Sequence, residues 1–152
     1  AQPKSDKFDI RAYVDTIADS VKILCEQHGK TLWVQINIKN ILICIDCSFV
    51  SQVNNNLISN ALRYAKSEVH ISYVSDNNGF YISVSDNGCG FTKDVLNKAT
   101  NPYFTEEKDH SEHFGLGLYI CKILCEHHGG YLKIENCSTG AKVTAFFKYL
   151  DL

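Results

Sequence analysis

The sequence predicts a two-layer α/β sandwich, an α+β arrangement in which a mixed sheet of about five strands is covered on one face by three helices. Three observations predict this fold class. Some stretches alternate apolar and polar residues, which is the period of a half-buried strand, and others repeat apolar residues every three or four positions, which is the period of a helix. The length of 152 residues fits one domain, and 45% apolar residues supply a single core.

Composition and charge exclude several function classes. The net charge is −2 and no basic stripe follows a predicted helix, so we expect no nucleic-acid partner. No apolar run approaches the length of a membrane span, so we expect no direct membrane contact. Seven cysteines, an odd number, are scattered through apolar segments, which favours reduced cysteines in a cytoplasmic protein over a disulfide framework. Residues 1–7 are polar and are interpreted as the remnant of a linker.

The first part of the chain is typical of a helix followed by two strands. Residues 8–28 repeat apolar positions at helical spacing, and Gly29 ends the run. Residues 32–38 alternate, and after a short turn the apolar run 41–45 follows. We predict that these two runs form a hairpin.

A helix at residues 48–64, with Ser48 as its N-cap, has two informative faces. At about 100° per residue, one face is apolar and contains Val50, Val53, Leu57, Ala61 and Tyr64. A second face, about a quarter-turn away, carries Asn56, Asn60 and Arg63. Amide oxygens suit magnesium and a guanidinium suits phosphate, so this edge of the helix can line a polar cleft. For any single asparagine, a place on a solvated face is the commoner explanation.

The next feature is a strand that ends in a carboxylate and two glycines. Residues 68–74 and 79–85 alternate, and the second run leads into Asp86. Gly88 and Gly90 follow, and their lack of a Cβ lets the backbone approach a ligand. An ionised aspartate only accepts hydrogen bonds, so its natural partner is a donor such as an exocyclic amine. Taken alone, the same residues are also good turn chemistry.

A long irregular segment, residues 92–113, precedes the last helix and is interpreted as a lid. The helix that follows carries Gly115 and Gly117 in its first turn, where free N–H groups form an anion site, most often for phosphate. A dinucleotide fingerprint is excluded, because it needs a third glycine at the position of Ile120 and a strand directly before the helix. Residues 131–149 are typical of a closing hairpin.

Four segments, taken in order, resemble the sequence motifs of one family. Residues 56–64 resemble an asparagine box, 86–91 a first glycine box, 102–104 a phenylalanine box and 115–118 a second glycine box. Any one box is a weak signal, but four in register across residues 8–150 are strong. The chain is similar to the catalytic, ATP-binding domain of a bacterial sensor histidine kinase of the GHKL superfamily, which has the Bergerat fold.

The resemblance implies a role for each candidate site residue. It implies that Asp86 hydrogen-bonds the adenine amino group and that Asn60 coordinates magnesium, with Asn56 helping. Arg63 would lie near the phosphates, and Tyr64 would stack on adenine. The remaining nucleotide-binding positions that it implies are Gly88, Gly90, Phe104, Gly115, Leu116, Gly117 and Leu118.

Within the lid, the resemblance favours Lys108 as the residue that meets the γ-phosphate, with His110 and His113 as alternatives. His113 also stands where many relatives have the first glycine of the second box. The geometry of the lid therefore stays open.

Two absences indicate that the chain is one half of a kinase. Hydrolytic members of the superfamily carry a glutamate base at the position of Asn56, and an amide cannot accept a proton at neutral pH. None of the six histidines lies in a helical hairpin like the one that carries the phosphoacceptor of a sensor kinase. The resemblance thus implies a single domain, residues 1–152, that binds ATP and magnesium. It would donate the γ-phosphoryl group to a histidine of a separate dimerisation domain.

The same resemblance implies an indirect response-regulator partner and a cytoplasmic domain of a membrane-anchored sensor. It also implies a monomeric isolated domain and a homodimeric complete kinase. Two alternatives stay open: a non-catalytic ATP sensor or scaffold of the same fold, and a GHKL ATPase. A zinc site at Cys121, Cys125 and His128 is less favoured than buried apolar cysteines, because structural zinc needs four ligands.

Overall fold

The computed structural model describes residues 2–4, 6–39, 42–98 and 112–151. Within these residues, pairs of consecutive strands follow α1, α2 and α4. In chain order the elements are β1 (Asp6–Asp9), α1 (Ile10–Gln27), β2 (Thr31–Asn37), β3 (Leu42–Ile45), α2 (Cys47–Tyr64), β4 (Glu68–Ser75), β5 (Gly79–Asp86), α3 (Lys93–Lys98), α4 (Glu112–His127), β6 (Tyr131–Asn136) and β7 (Ala141–Lys148).

Five strands form one mixed sheet in the order β2-β4-β5-β7-β6. β2 and β4 are parallel, whereas the other three neighbouring pairs are antiparallel. Alternate residues of β4, β5 and β7 are buried, and α1, α2 and α4 supply most of the helical residues of the same core. The predicted fold class, a mixed five-stranded sheet with helices, is therefore confirmed, as is the closing hairpin formed by β6 and β7.

The predicted hairpin of residues 32–38 and 41–45 is wrong. β2 pairs in parallel with β4, and β3 pairs antiparallel with β1 in a separate two-stranded sheet. Leu150 N also donates a hydrogen bond to Cys44 O at 2.8 Å, so a residue beyond β7 contacts β3 as well. Alternation specifies the buried face of a strand but not its neighbour, which is why adjacent runs suggested the wrong pairing.

The beginning of the chain also differs from the prediction. Residues 6 and 7, which were assigned to a linker, belong to β1. The first helix therefore begins at Ile10 and not at residue 8. Asp9 is its N-cap, because the Asp9 Oδ1 accepts a hydrogen bond from Arg11 N at 2.9 Å.

The N-cap of α2 is Asp46 and not Ser48. Asp46 Oδ1 accepts hydrogen bonds from Ser48 N at 2.9 Å and Phe49 N at 3.3 Å, while Oδ2 accepts one from Lys4 N at 2.7 Å. Burial raises the pKa of the Asp46 carboxyl, but a hydrogen bond from the Ser48 hydroxyl at 2.7 Å, together with these backbone hydrogen bonds, outweighs burial and the net shift is downward. One carboxylate thus satisfies two free N–H groups of the helix and also holds residue 4.

A buried histidine joins α2, α4 and β7. His128 is 1% exposed; its Nε2 accepts a hydrogen bond from Asp46 N at 2.9 Å, and its Nδ1 lies 2.8 Å from Lys148 O. A backbone N–H only donates and a carbonyl only accepts, so the imidazole is neutral with its proton on Nδ1. Both ring nitrogens are engaged, which leaves none for zinc. Burial raises the thiol pKa of Cys121 and of Cys125, as expected for cysteines that pack as small apolar residues.

The predicted lid, residues 92–113, contains regular structure at both ends, because α3 lies inside it and α4 begins at Glu112. The earlier helix start puts Gly115 in the first turn of α4 but Gly117 in the second, so the expectation for Gly117 was wrong by one turn. Residues 99–111 are outside the described residues. The predictions that lie there concern Phe104, Lys108 and His110.

Candidate functional site

The predicted base-binding carboxylate, Asp86, is the last residue of β5 and is 6% exposed. Its Oδ1 accepts a hydrogen bond from Gly88 N at 2.8 Å. Burial raises the pKa of the Asp86 carboxyl, and hydrogen bonds from the backbone of Gly88 and Ala141 offset only part of that effect. The strand end therefore holds a hydrogen-bond acceptor inside the protein instead of in bulk water.

Asp86 and Asn60 line the same narrow recess. Apolar residues form the rest of its wall, and these are Leu57, Ala61, Val84, Phe91, Ala141 and Val143. The recess has a volume of about 10 Å³, close to what one water molecule occupies, so it admits a polar group the size of an amine but not a whole ring. A cavity of about 780 Å³ lies between α1 and β2, but it contains none of the predicted site residues. We therefore assign the site to the smaller recess.

Two glycines are required where the segment after β5 passes its neighbours. A Cβ on Gly88 would lie 2.2 Å from Tyr64 O, and a Cβ on Gly140 would lie 2.4 Å from Asp86 O. Neither approach is possible for a real side chain without a shift of backbone. Gly90 has a φ of +80°, which residues with a Cβ rarely adopt. The first glycine box is thus enclosed between the end of α2 and the β6–β7 turn.

Asn87 positions this segment, and sequence reasoning treated it only as a turn residue. Its Oδ1 accepts hydrogen bonds from three consecutive backbone N–H groups, those of Lys66, Ser67 and Glu68, each at 3.0 Å. Its Nδ2 donates to Ser67 Oγ at 2.9 Å. The residue after Asp86 is therefore tied to the connection between α2 and β4.

Asn136, the last residue of β6, was also missed. Its side-chain amide makes two hydrogen bonds to the backbone of Phe91, at 2.7 and 2.9 Å. The only local signal is an asparagine before a Ser-Thr-Gly turn, which indicates a turn and says nothing about a partner in another segment.

The asparagine-rich edge of α2 faces α4. The position of a Cβ on Gly117 would be 3.9 Å from Asn60 Oδ1, and Asn56 hydrogen-bonds the thiol of Cys121. Asn60 Nδ2 is buried and has no hydrogen-bond partner among the described residues. A buried amide that lacks a partner costs free energy, so such a group in a native fold calls for an explanation.

The other predicted residues have different surroundings. Arg63 is exposed and Tyr64 half-buried in the last turn of α2; burial raises the pKa of Tyr64, and the charge of Arg63 offsets part of the shift. Leu118 is 1% exposed, so its side chain belongs to the core. Asn54, on the same helix as Asn60, is structural, because the Tyr73 hydroxyl donates to its Oδ1 at 2.8 Å.

The chain was compared with families, curated proteins and solved structures. The family described as "Histidine kinase-, DNA gyrase B-, and HSP90-like ATPase" matches residues 45–151. The chain is 30% identical to sensor histidine kinase WalK of Bacillus subtilis over 95% of its own length, and it spans 25% of WalK. No helix in the described part of the chain is long and apolar enough to cross a bilayer.

Two solved structures show the same fold. The catalytic domain of histidine kinase ThkA, in a nucleotide-free form, has a TM-score of 0.74 and 19% identity, and the match covers 95% of this chain and 96% of ThkA. Full-length ShkA in complex with AMPPNP has a TM-score of 0.75 and 18% identity, covering 100% of this chain and 33% of ShkA. At these identities the likeness concerns the fold alone.

Proposed function

Because this chain belongs to the family of histidine kinase-, DNA gyrase B- and HSP90-like ATPases, we propose that it is the ATP-binding catalytic domain of a sensor histidine kinase. It would donate the γ-phosphoryl group of ATP to a histidine of a separate dimerisation domain. The observation that carries this proposal is the meeting of Asp86, Asn60 and Gly117. A buried acceptor and an amide whose Nδ2 has no partner among the described residues line one recess, and the second turn of α4 lies beside that amide.

Adenine recognition is assigned to Asp86. The recess accepts a group the size of an amine, and a carboxylate at its floor accepts a hydrogen bond from the exocyclic amine of adenine. The ring would lie across the mouth of the recess, within reach of Tyr64 on α2. Gly88 and Gly90 allow the backbone to pass close to the base because no Cβ intervenes.

The residues at the cleft fit a magnesium ion that is held jointly by protein and nucleotide. Amide oxygens are hard neutral ligands, and magnesium keeps waters and phosphate oxygens in the rest of its shell. Asn60 would supply the main protein ligand through its Oδ1, which lies on the side where Gly117 leaves space, and Asn56 would assist. The described residues contain no group of three His, Cys, Asp or Glu side chains that could hold a metal without the nucleotide. When bound, magnesium neutralises charge on the β- and γ-phosphoryl oxygens.

Phosphate binding is assigned to the beginning of α4. The first four N–H groups of a helix have no acceptor within the helix, and the helix dipole adds positive potential there. Gly115 lies directly after the residues that carry these N–H groups, and Gly117 leaves space beside Asn60. Arg63 and the lid residue Lys108 would add positive charge near the phosphates.

The phosphoacceptor is assigned to another domain. Asn56 offers no carboxylate base, so attack by water on bound ATP would be poor. Among the described histidines, those at positions 28, 113, 127 and 128 lie at helix ends and His70 lies on β4. The complete kinase would be a membrane-anchored homodimer with this domain in the cytoplasm. A response regulator would receive the phosphoryl group from the dimerisation domain.

Calorimetry with ATP plus magnesium, and with ADP for comparison, tests nucleotide binding. Radiolabelled ATP then tests transfer, first with the chain alone and then with the histidine-bearing domain encoded in the same gene. We expect binding in both cases and label only on the added domain, as an acid-labile, base-stable phosphoramidate. Absence of ATP binding would refute the proposal.

The same assays separate the alternatives. Rapid hydrolysis by the lone chain would favour a GHKL ATPase. Binding with no transfer to the added domain would favour an ATP sensor or scaffold. Label on one of the chain's own histidines would overturn the half-kinase interpretation.

A further inference from the structure

The segment that leaves β5 is held by a side chain from the other end of the site. Asn136 ends β6, opposite Ala141 of β7. Its Oδ1 accepts a hydrogen bond from Phe91 N at 2.7 Å, and its Nδ2 donates one to Phe91 O at 2.9 Å. One side-chain amide thus pairs with both backbone groups of a residue that lies outside the sheet, as a neighbouring strand would do.

The fit between Asn136 and this segment is close. A Cβ on Gly90 would lie 2.9 Å from Asn136 Oδ1, so the glycine before Phe91 makes room for the amide. Asn136 is itself held, because Cys137 N donates to Gly140 O at 2.8 Å and closes the β6–β7 turn. The amide therefore approaches Phe91 from a fixed support.

Phe91 connects this contact to the site. It is 6% exposed and lines the recess together with Asp86 and Asn60, whereas Asn136 is not part of the recess wall. The predicted lid begins at the next residue, and α3 begins two residues after Phe91. We propose that Asn136 is a positioning residue for nucleotide binding: it fixes Phe91, and through Phe91 it sets the wall of the recess and the approach to α3. This inference rests on the proposed function.

A merely structural asparagine would also be expected to destabilise the fold when replaced, so stability alone does not test the proposal. The amide of Phe91 provides a local measurement, because its N–H is bonded to the Asn136 side chain. If Asn136 acts by positioning, its removal should free this N–H while the amides of β5 stay protected. A structural role would instead weaken protection throughout the sheet.

The experiment compares Asn136→Ala with wild type in the whole chain. Calorimetry with ATP and magnesium measures the Kd, and amide hydrogen exchange by NMR measures protection at Phe91 and along β5. We expect the Kd to rise at least fivefold and exchange at Phe91 to accelerate at least tenfold, with β5 unchanged. The matched control is Asn78→Ala, an exposed asparagine in the turn at the opposite end of β5, for which both measurements should stay within twofold of wild type.

Asn136→Asp keeps the test decisive if the alanine variant does not fold. An ionised carboxylate still accepts from Phe91 N but cannot donate to Phe91 O, whereas a protonated carboxyl does both. At pH 7 an aspartate carboxyl with a pKa of about 3.9 is ionised, so one of the two hydrogen bonds to Phe91 is lost and the ATP Kd should rise at least fivefold. An ATP Kd within twofold of wild type would overturn the proposal.

The remaining outcomes separate this inference from the proposed function. If the wild type binds ATP and the Kd of Asn136→Ala is within twofold of the wild-type Kd, the positioning role alone is overturned. If the amides throughout β5 lose their protection from hydrogen exchange in Asn136→Ala, the role of Asn136 is structural and the positioning role is overturned. Wild type that does not bind ATP would refute the proposed function and this inference with it.

Discussion

Acidification should destabilise the fold through His128, and the effect can be isolated with two glutamine variants. The neutral ring accepts from Asp46 N through Nε2 and donates to Lys148 O through Nδ1. A proton on Nε2 would place two donors, the Nε2–H of His128 and the N–H of Asp46, against each other. It would also put a positive charge in the core. Burial lowers the pKa of His128 accordingly, and the hydrogen bond to Lys148 O and the charge of Asp46 oppose that shift only in part.

The sign of the pH dependence follows from this lowered pKa. Near neutral pH the ring is unprotonated in both states, and as pH falls below the unfolded pKa of about 6.5 the unfolded chain takes up a proton first. The stability contributed by the neutral ring is therefore complete above about pH 6.5 and is lost as pH falls through the window between the unfolded and folded pKa values. For a strongly depressed folded pKa, the free energy of unfolding falls by up to about 1.4 kcal/mol between pH 7.5 and 5.5. For a domain of this size that loss corresponds to a drop in Tm of about 3 to 6 °C.

Urea unfolding across pH 5.5 to 7.5 measures the effect in wild type, His128→Gln and His28→Gln. A glutamine amide does not titrate, so the His128→Gln profile should lack the acid-dependent fall while keeping the contributions of all other groups, including Asp46. His28 ends α1 in the same local sequence, Cys-Glu-x-His-Gly, but is exposed. Replacing it should leave the profile of wild type unchanged.

The reasoning is refuted if the wild-type and His128→Gln profiles run parallel over this pH range. It is also refuted if His28→Gln removes the fall as completely as His128→Gln does. In either case the buried imidazole would not be the group whose protonation limits stability in acid.

Four further changes test the site itself. Asp86→Asn exchanges an acceptor for a group that presents a donor, which is worth about 1–3 kcal/mol; calorimetry should show at least a tenfold rise in the ATP Kd, and an unchanged Kd would remove the assignment of this residue. Asn60→Ala should weaken ATP binding more in the presence of magnesium than in its absence, and equal losses would indicate a structural asparagine. Gly88→Ala forces a Cβ toward Tyr64 O at 2.2 Å and should cost about 1–3 kcal/mol in urea unfolding; a stable variant would mean that the segment shifts freely. Asn56→Glu supplies the missing base, so slow release of phosphate from ATP should become measurable, and no release would place the barrier elsewhere.

Periodicity located the elements well because the burial of one face is a local property of the sequence. The asparagine-bearing helix was predicted at 48–64 and lies at Cys47–Tyr64, and the fold class is confirmed. The pairing of β2 was wrong, since apolar alternation is equally compatible with a hairpin to β3 and with a parallel neighbour. The N-cap at Asp46 was missed because serine and aspartate are both good caps and only the observed geometry separates them.

In the candidate site, too, local patterns predicted some features and missed those that depend on contacts between remote segments. Asp86 and Asn60 were predicted from the chemistry of their side chains and from the order of the sequence boxes, and both line one recess. The contacts of Asn87 and Asn136 were not found, because an asparagine in a loop has the same turn preference whichever backbone it later binds. Their partners come from connections remote in sequence, so no local pattern encodes them.

Asn87 and Asn136 hold the two ends of the first glycine box, residues 86–91, by hydrogen bonds. They therefore separate adenine recognition at Asp86 from changes beyond Phe91. Asn87 ties the beginning of the box to the connection after α2, and Asn136 ties its end at Phe91 to β6. A displacement beyond Phe91 reaches Asp86 only if both attachments give way, and each hydrogen bond opposes this with about 0.5–1.5 kcal/mol net. Under the proposed function, substitutions beyond Phe91 should therefore leave the carboxylate that reads the base in place. Changes in the lid should then alter phosphate contacts before they alter adenine recognition.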